Sequence, residues 1–304
     1  MRLGVHVPIA GGLPSALAWA RQVGCTTMQI FSRSPRGGQA PRLDQTVVER
    51  FSAQRRQAGI APLVVHSPYI INLASPEPQV WRVSVALLQE ECARAAQLGA
   101  QYLVTHVGSH RGHGEAAGIR QVAQALDQAL ETAPSGVMVL LENTAGSGQG
   151  VGSRFEALAA IREAARSQAR VGICLDTAHL FAAGFPIHTP SGLAETVAHF
   201  HRVVGLDHLK LLHLNDSKVV LGSCVDRHWH IGQGHIGLEG MRGIVNHPAF
   251  QQVPWILETP KERMEEDRRN LDAVRQLVRP ESVPRTRASR TRRSATRTAA
   301  HASG

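Results

Sequence analysis

Cysteine is scarce in this chain of 304 residues: Cys25, Cys92, Cys174 and Cys224 lie far apart, with no C-x-x-C pair. That excludes a dense disulfide framework and a thiolate zinc site, and makes a reducing cytoplasm the simplest compartment. Long apolar runs are missing as well. No segment offers the roughly 18 uninterrupted apolar residues of a membrane span, and the opening MRLGVHVPIAGG has no extended apolar stretch after its arginine, so neither a span nor an export signal is expected. A dinucleotide fingerprint is also lacking. Gly146-Ser-Gly-Gln-Gly-Val-Gly152 is rich in glycine without the G-x-G-x-x-G spacing and reads as a flexible loop. Acidic residues nearly vanish from residues 280–304, which hold six arginines against one glutamate.

Residues 280–304 carry a net +5 of the formal charge of +9, leaving +4 for the body. The body is therefore mildly basic, compatible with a polyanionic partner without demanding one. Residues 280–304 have almost nothing to bury and are expected to be disordered. They are either an electrostatic arm for nucleic acid or a solvated tail. The remainder, residues 1–279, reads as one domain. With 43% hydrophobic and 19% charged residues the chain can build a sizeable core, and α/β barrels routinely reach this length as a single domain.

Short apolar runs recur at 3–7, 26–31, 61–66, 101–106, 137–142, 171–176, 209–214 and 254–259. Between and after them, segments near 13–23, 44–58, 78–98, 115–132, 153–168, 192–204, 238–247 and 261–278 show helical periodicity. Eight alternations predict an α/β fold, a (β/α)8 barrel of the TIM type, because eight parallel strands can close whereas an open sheet leaves two edges.

The run ending Ile173-Cys-Leu-Asp-Thr-Ala-His179 reads as a buried strand that empties into a site, since a carboxylate and an imidazole follow directly on an apolar stretch. The same pattern repeats. His66, His106, Glu142, Asp176, His213 and Glu258 close strands three to eight or come within two residues of doing so. Barrel closure would gather them at the carboxyl-terminal mouth, where so many imidazoles and carboxylates stay unsatisfied without a cation. His179, Asp226 and His228 lie in loops on the same face. Five histidines and four carboxylates exceed the needs of one ion and suit two or three. Three divalent ions against four carboxylates leave the site positive, which suits a phosphodiester, and both zinc and manganese fit the donor set.

These residues resemble the endonuclease IV family, the metal-dependent apurinic/apyrimidinic (AP) endonucleases of base-excision repair. The resemblance rests on seven ordered segments: His66-Ser-Pro-Tyr-Ile-Ile-Asn-Leu-Ala74, Val104-Thr-His-Val-Gly-Ser109, Leu141-Glu-Asn-Thr-Ala-Gly146, Gly172-Ile-Cys-Leu-Asp-Thr-Ala-His179, Leu212-His-Leu-Asn-Asp-Ser-Lys218, Asp226-Arg-His228 and Ile256-Leu-Glu-Thr259. It implies a (β/α)8 barrel with three zinc ions: one on His66, His106 and Glu142, a second on Glu142, Asp176, His213 and Glu258, a third on His179, Asp226 and His228. It further implies hydrolysis of the phosphodiester 5′ to an abasic site in duplex DNA, leaving a 3′-hydroxyl and a 5′-deoxyribose phosphate, and removal of blocking groups from 3′ ends. Glu142 would be ligand and catalytic residue together, orienting or deprotonating the attacking water. Arg36 and Tyr69 match positions that the family inserts into DNA. No membrane partner is implied, and the chain is expected to act as a monomer.

Three departures from the family pattern stand out. Gly37-Gly-Gln follows Arg36 where an aromatic residue is usual, Gly222-Ser-Cys224 replaces a segment with an arginine, and Gly232-Gln-Gly-His235 replaces Gly-Glu-Gly-Asn. Arg36 therefore reads equally well as solvated and Tyr69 as a residue of the barrel mouth, while His230 and His235 read as solvent-facing or hydrogen-bonded. Two alternatives stay open: a metal-dependent sugar isomerase or epimerase on a similar barrel, and a DNA-binding homologue with reduced turnover. Taken as extended, Asp176-Thr-Ala-His179 spans about 10 Å, so its two ligands need not share an ion.

Overall fold

Apolar strands flanked by amphipathic helices can bury both faces and leave no open edge by closing on themselves inside a helical shell, and the chain does so. The structure, a computed structural model, describes residues 1–36 and 38–279. Its strands are β1 (Leu3–Val5), β2 (Met28–Phe31), β3 (Leu63–His66), β4 (Tyr102–His106), β5 (Met138–Glu142), β6 (Val171–Asp176), β7 (Leu209–His213), β8 (Asp216–Ser217), β9 (His228–Trp229) and β10 (Trp255–Leu257). Eight form one parallel sheet in the order β1-β10-β7-β6-β5-β4-β3-β2. The two ends meet where His6 bridges to Gln29 and the Val7 amide donates to the Gln29 carbonyl at 2.7 Å. A Cβ on Gly4 would overlap the Thr27 carbonyl, so a glycine is what lets the seam close.

The helices are α1 (Gly12–Gln22), α2 (Gln45–Gln57), α3 (Pro78–Gln97), α4 (Glu115–Thr132), α5 (Phe155–Ala164), α6 (Thr177–Ala182), α7 (Pro190–Val203), α8 (Gly237–Val245), α9 (Pro248–Gln251) and α10 (Met264–Leu277). All eight expected strands and helices are present. The β8–β9 hairpin, α6 and α9 are additions to that pattern: two to six residues are too few to show a periodicity. The glycine-rich loop 146–152 is tied down, its Val151 amide donating to the Gly108 carbonyl at 2.9 Å while the Val151 side chain is buried. The expectation for residues 280–304 lies outside the described residues.

Strand parity places the site. Leu63 and Val65, Leu103, Val139 and Leu141, Ile173 and Leu175, Leu212, and Trp255 and Leu257 belong to the core shared with the helices. Val64, Val104, Leu140, Cys174, Leu211 and Ile256 form a separate cluster inside the barrel. Two residues beyond each of these six, on the same inward face, stand His66, His106, Glu142, Asp176, His213 and Glu258. On β7 this parity depends on an irregularity: Ile173 pairs with Leu209, but Cys174 pairs with Leu211. Without that shift the following residues of the strand would change faces and His213 would turn out of the site.

Candidate metal centre

Glu142 stands at the centre of the barrel mouth, fully buried, with its two oxygens turned to different partners. Oε2 lies 3.2 Å from His66 Nε2 and 3.1 Å from His106 Nε2. Oε1 lies 3.1 Å from His213 Nδ1, which is itself 3.1 Å from Glu258 Oε2. Three groups offer ligand atoms within 4.8 Å of one another: His66, His106 and Glu142; Glu142, Asp176, His213 and Glu258; and Asp176, His179 and His228. The first two are the sets expected from the sequence. In the third, Asp176 stands where Asp226 was expected, and Asp226, 51% exposed, still reaches His179 Nε2 at 3.2 Å and His228 Nε2 at 3.4 Å.

The extended reading of Asp176-Thr-Ala-His179 is corrected. Asp176 caps α6, its side chain accepting from the His179 amide at 2.8 Å. A capped first turn folds three residues back on themselves, so His179 Nδ1 comes within 4.0 Å of Asp176 Oδ1. Asp176 thereby faces both the second and the third group.

Hydrogen bonds fix which ring nitrogen three of the histidines present. His66 Nδ1 lies 2.7 Å from the Ser67 carbonyl, His179 Nδ1 2.9 Å from the Asn143 carbonyl and His228 Nδ1 3.2 Å from the Glu258 carbonyl. Each of those nitrogens must donate, which leaves Nε2 as a lone pair. The Nε2 atoms of His179 and His228 then face each other at 3.4 Å, with the carboxylates of Asp176 and Asp226 alongside. Acceptors gathered in this way demand a cation or protons between them. The residues therefore fit divalent metal on the chemistry of the donor set.

The charges respond accordingly. Burial alone would lower the His179 imidazole, but Asp176, Asp226 and Glu142 hold it well above the ordinary histidine value. His213 is likewise desolvated and likewise raised, with Cys174, Glu258 and Glu142 beside it. Burial would raise Glu142, yet His106 and His213 hold it well below the usual carboxylate range.

Sequence reasoning missed the supporting shell. Asn143 Oδ1 accepts from the Asp176 amide at 2.6 Å, and Asn215 Nδ2 donates to Asp176 Oδ2 at 2.6 Å while its Oδ1 accepts from the Glu258 amide at 2.7 Å. His6 Nδ1 lies 3.1 Å from Glu258 Oε1, and burial pushes this imidazole down to about 4. Its position just past β1, on the inward parity, was a signal available in the sequence. Asp216, inside a family segment, is not in any ligand group: its carboxylate accepts from the Gly234 and Ile236 amides at 3.0 Å each and pins the loop after β9.

Tyr69 is 64% exposed at the mouth, with its ring 5.8 Å from His66 and 5.5 Å from Phe31. Arg36 is exposed, and Gly37 beside it lies outside the described residues. The two loops are joined by the Tyr69 amide donating to the Pro35 carbonyl at 3.1 Å. Beneath them a buried network holds the Arg36 loop: Arg33 Nε donates to Glu91 Oε1 at 2.6 Å, Ser32 Oγ donates to Glu91 Oε2 at 2.8 Å, and Arg94 reaches the Pro41 carbonyl at 2.9 Å. A groove of about 650 Å³ runs from His66, His106 and His179 past Tyr69 to Asn72 and Arg111. His230 Nδ1 is 3.1 Å from Asn270 Nδ2, and His235 is exposed, so neither joins the cluster.

Comparison with known proteins bears on the fold and the family. Residues 17–279 match the family model described as a xylose isomerase-like TIM barrel. The chain is 46% identical over 279 residues to the "Probable endonuclease 4" of Chloroflexus aurantiacus, covering 91% of this chain and 98% of that one. It is 45% identical over 283 residues to the protein of the same name from Methanosphaerula palustris, with 92% and 99% covered. The crystal structure of endonuclease IV from Thermus thermophilus superposes with a TM-score of 0.82 at 38% identity, covering 91% of this chain and 98% of that one. With near-complete coverage in both directions, the chain belongs to the endonuclease IV family of the xylose isomerase-like TIM barrels.

Proposed function

We propose that the chain is a metal-dependent AP endonuclease of DNA repair. It hydrolyses the phosphodiester 5′ to an abasic site in duplex DNA, leaving a 3′-hydroxyl and a 5′-deoxyribose phosphate, and it clears blocked 3′ ends. The observation that carries this reading is Glu142, whose two oxygens serve two separate histidine sets beside a third acceptor cluster. Three zinc ions are the expected complement, and manganese fits the same donors. Ions bound there supply Lewis acidity and a water of lowered pKa. His66, His106 and Glu142 would hold one, and Glu142, Asp176, His213 and Glu258 a second. His179 and His228, with Asp226 or Asp176, would hold the third.

The residues divide the remaining work. Glu142 orients the attacking water and is placed to take its proton. Tyr69 and Arg36 project from linked loops at the rim, where contact with backbone and unstacked bases would select a distorted duplex by shape. The enzyme works as a monomer in the cytoplasm. A sugar isomerase on the same barrel is the alternative, and the hairpin carrying Asp226 and His228 argues against it, since one or two ions would not need a third cluster. Incubation with a duplex bearing a single abasic-site analogue should give one nick 5′ to the lesion, abolished by chelator. An intact duplex in the untreated reaction would defeat the reading, and one metal ion per chain instead of three would transfer it to the isomerase.

A further inference from the structure

Gln29 is a wholly buried amide on the inward face of β2, among strand residues that are otherwise apolar directly beneath the ligands. Met28 and Ile30 on either side pack outward with the helices, so Gln29 cannot be a solvent-facing residue of an edge strand. A buried primary amide is costly unless its polar atoms are paired. Here both ends are. Gln29 Oε1 lies 2.9 Å from His213 Nε2, and Gln29 Nε2 donates to Glu258 Oε1 at 2.6 Å and lies 2.9 Å from His6 Nδ1. Oε1 is an acceptor only, so His213 must carry its proton on Nε2. Its Nδ1 is then the nitrogen that faces Glu142 and Glu258, at 3.1 Å from each. This is the reverse of His66, His179 and His228, whose Nδ1 atoms face backbone carbonyls and whose Nε2 atoms face the site.

We propose that Gln29 is a positioning residue that selects the ligating nitrogen of His213 and aims Glu258, so that the second metal site is set by an amide clamp from the opposite end of the sheet. The proposal rests on the metal-centre reading above. The clamp uses both ends of the amide: the oxygen chooses the imidazole tautomer, and the nitrogen holds one oxygen of Glu258 and leaves Oε2 beside His213. Backbone carbonyls do this for His66, His179 and His228. For His213, whose ring is stacked 6.1 Å from that of His66, a side chain from β2 takes the role.

The test is metal retention in Q29M, which keeps the length and volume of the side chain and removes donor and acceptor. Wild-type protein and Q29M, each loaded with zinc, are challenged with a chromophoric chelator. The expected result is that one ion of the set is released about 10–100-fold more readily from Q29M, while the others leave as in wild type. Q29E, which restores the acceptor for His213 but repels Glu258, should fall no lower in retention than Q29M. Release from Q29M within twofold of wild type for every ion would overturn the proposal. A wild-type protein that retains no metal would instead overturn the underlying metal-centre reading, so the two failures are distinct. A second measurement needs no variant: in ¹⁵N-histidine-labelled, zinc-loaded wild type, one buried imidazole should show coordination through Nδ1 and proton retention on Nε2. A spectrum in which every coordinated histidine uses Nε2 would overturn the proposal even if Q29M failed to fold.

Discussion

Glu142 shows how much rests on one side chain. Its Oε2 faces His66 and His106 and its Oε1 faces His213, so both oxygens need the negative charge that only the carboxylate spreads over them. Glu142→Gln keeps the shape and replaces one acceptor by a donor pointed at an imidazole nitrogen. The expected outcome is a correctly folded protein by far-ultraviolet circular dichroism whose cleavage of an abasic duplex falls by more than about a hundredfold, beyond what outer-shell changes usually cost. Near wild-type turnover at full metal occupancy would remove Glu142 from catalysis. Six of the nine candidate ligands are legible at this scale because each ends an apolar run, where nothing in a core explains an imidazole or a carboxylate. Gln29 and Asn215 are not. A single amide in a strand reads as an ordinary polar residue, and only barrel closure brings residue 29 to 213 and 258. His6 is within reach of the same reading, since it lies on the inward parity one residue from the end of the run at 3–7.

At the scale of elements, β6 and α6 are one device. The strand delivers Asp176 to the mouth, and its side chain then caps the helix on which His179 is the third residue. The ligand spacing is thus set by the first turn of a helix and not by an extended link. One residue inserted between Asp176 and His179 would rotate the imidazole by about 100° about the helix axis, taking it away from His228 and Asp226. Although the buried Leu180 and Phe181 turn with it, α6 is only six residues long, so the insertion should cost activity and third-ion retention far more than melting temperature. Parallel thermal melts and metal analysis of the insertion variant check this, and a loss of stability matching the loss of activity would show that the turn is only structural. The turn itself is hidden in the sequence, where six residues give too little periodicity to separate a helix start from a loop. The β8–β9 hairpin escapes for the same reason, although it is what carries His228 to the site.

For the whole molecule, the barrel is legible because parallel strands buried on both faces leave continuous apolar runs, and eight of them with intervening helices allow few other closures. Charge is the property that the fold does not settle. The body carries +4 of the +9, and the remainder belongs to residues 280–304, with their six arginines, after α10. If those arginines touch phosphates, they add affinity for any duplex without adding preference for a lesion, because phosphate contacts position the protein and carry no sequence information. A chain ending at residue 279 should therefore keep its metal ions, its melting temperature and its turnover at saturating substrate. Its binding to undamaged duplex at low salt should weaken, and the slope of log K against log salt should shrink by about 0.9 for each phosphate that the arginines neutralise. Titration of both proteins with an undamaged duplex across a salt series measures this directly. Equal affinity and equal slope would show that residues 280–304 are a solvated tail and that the barrel alone binds the DNA.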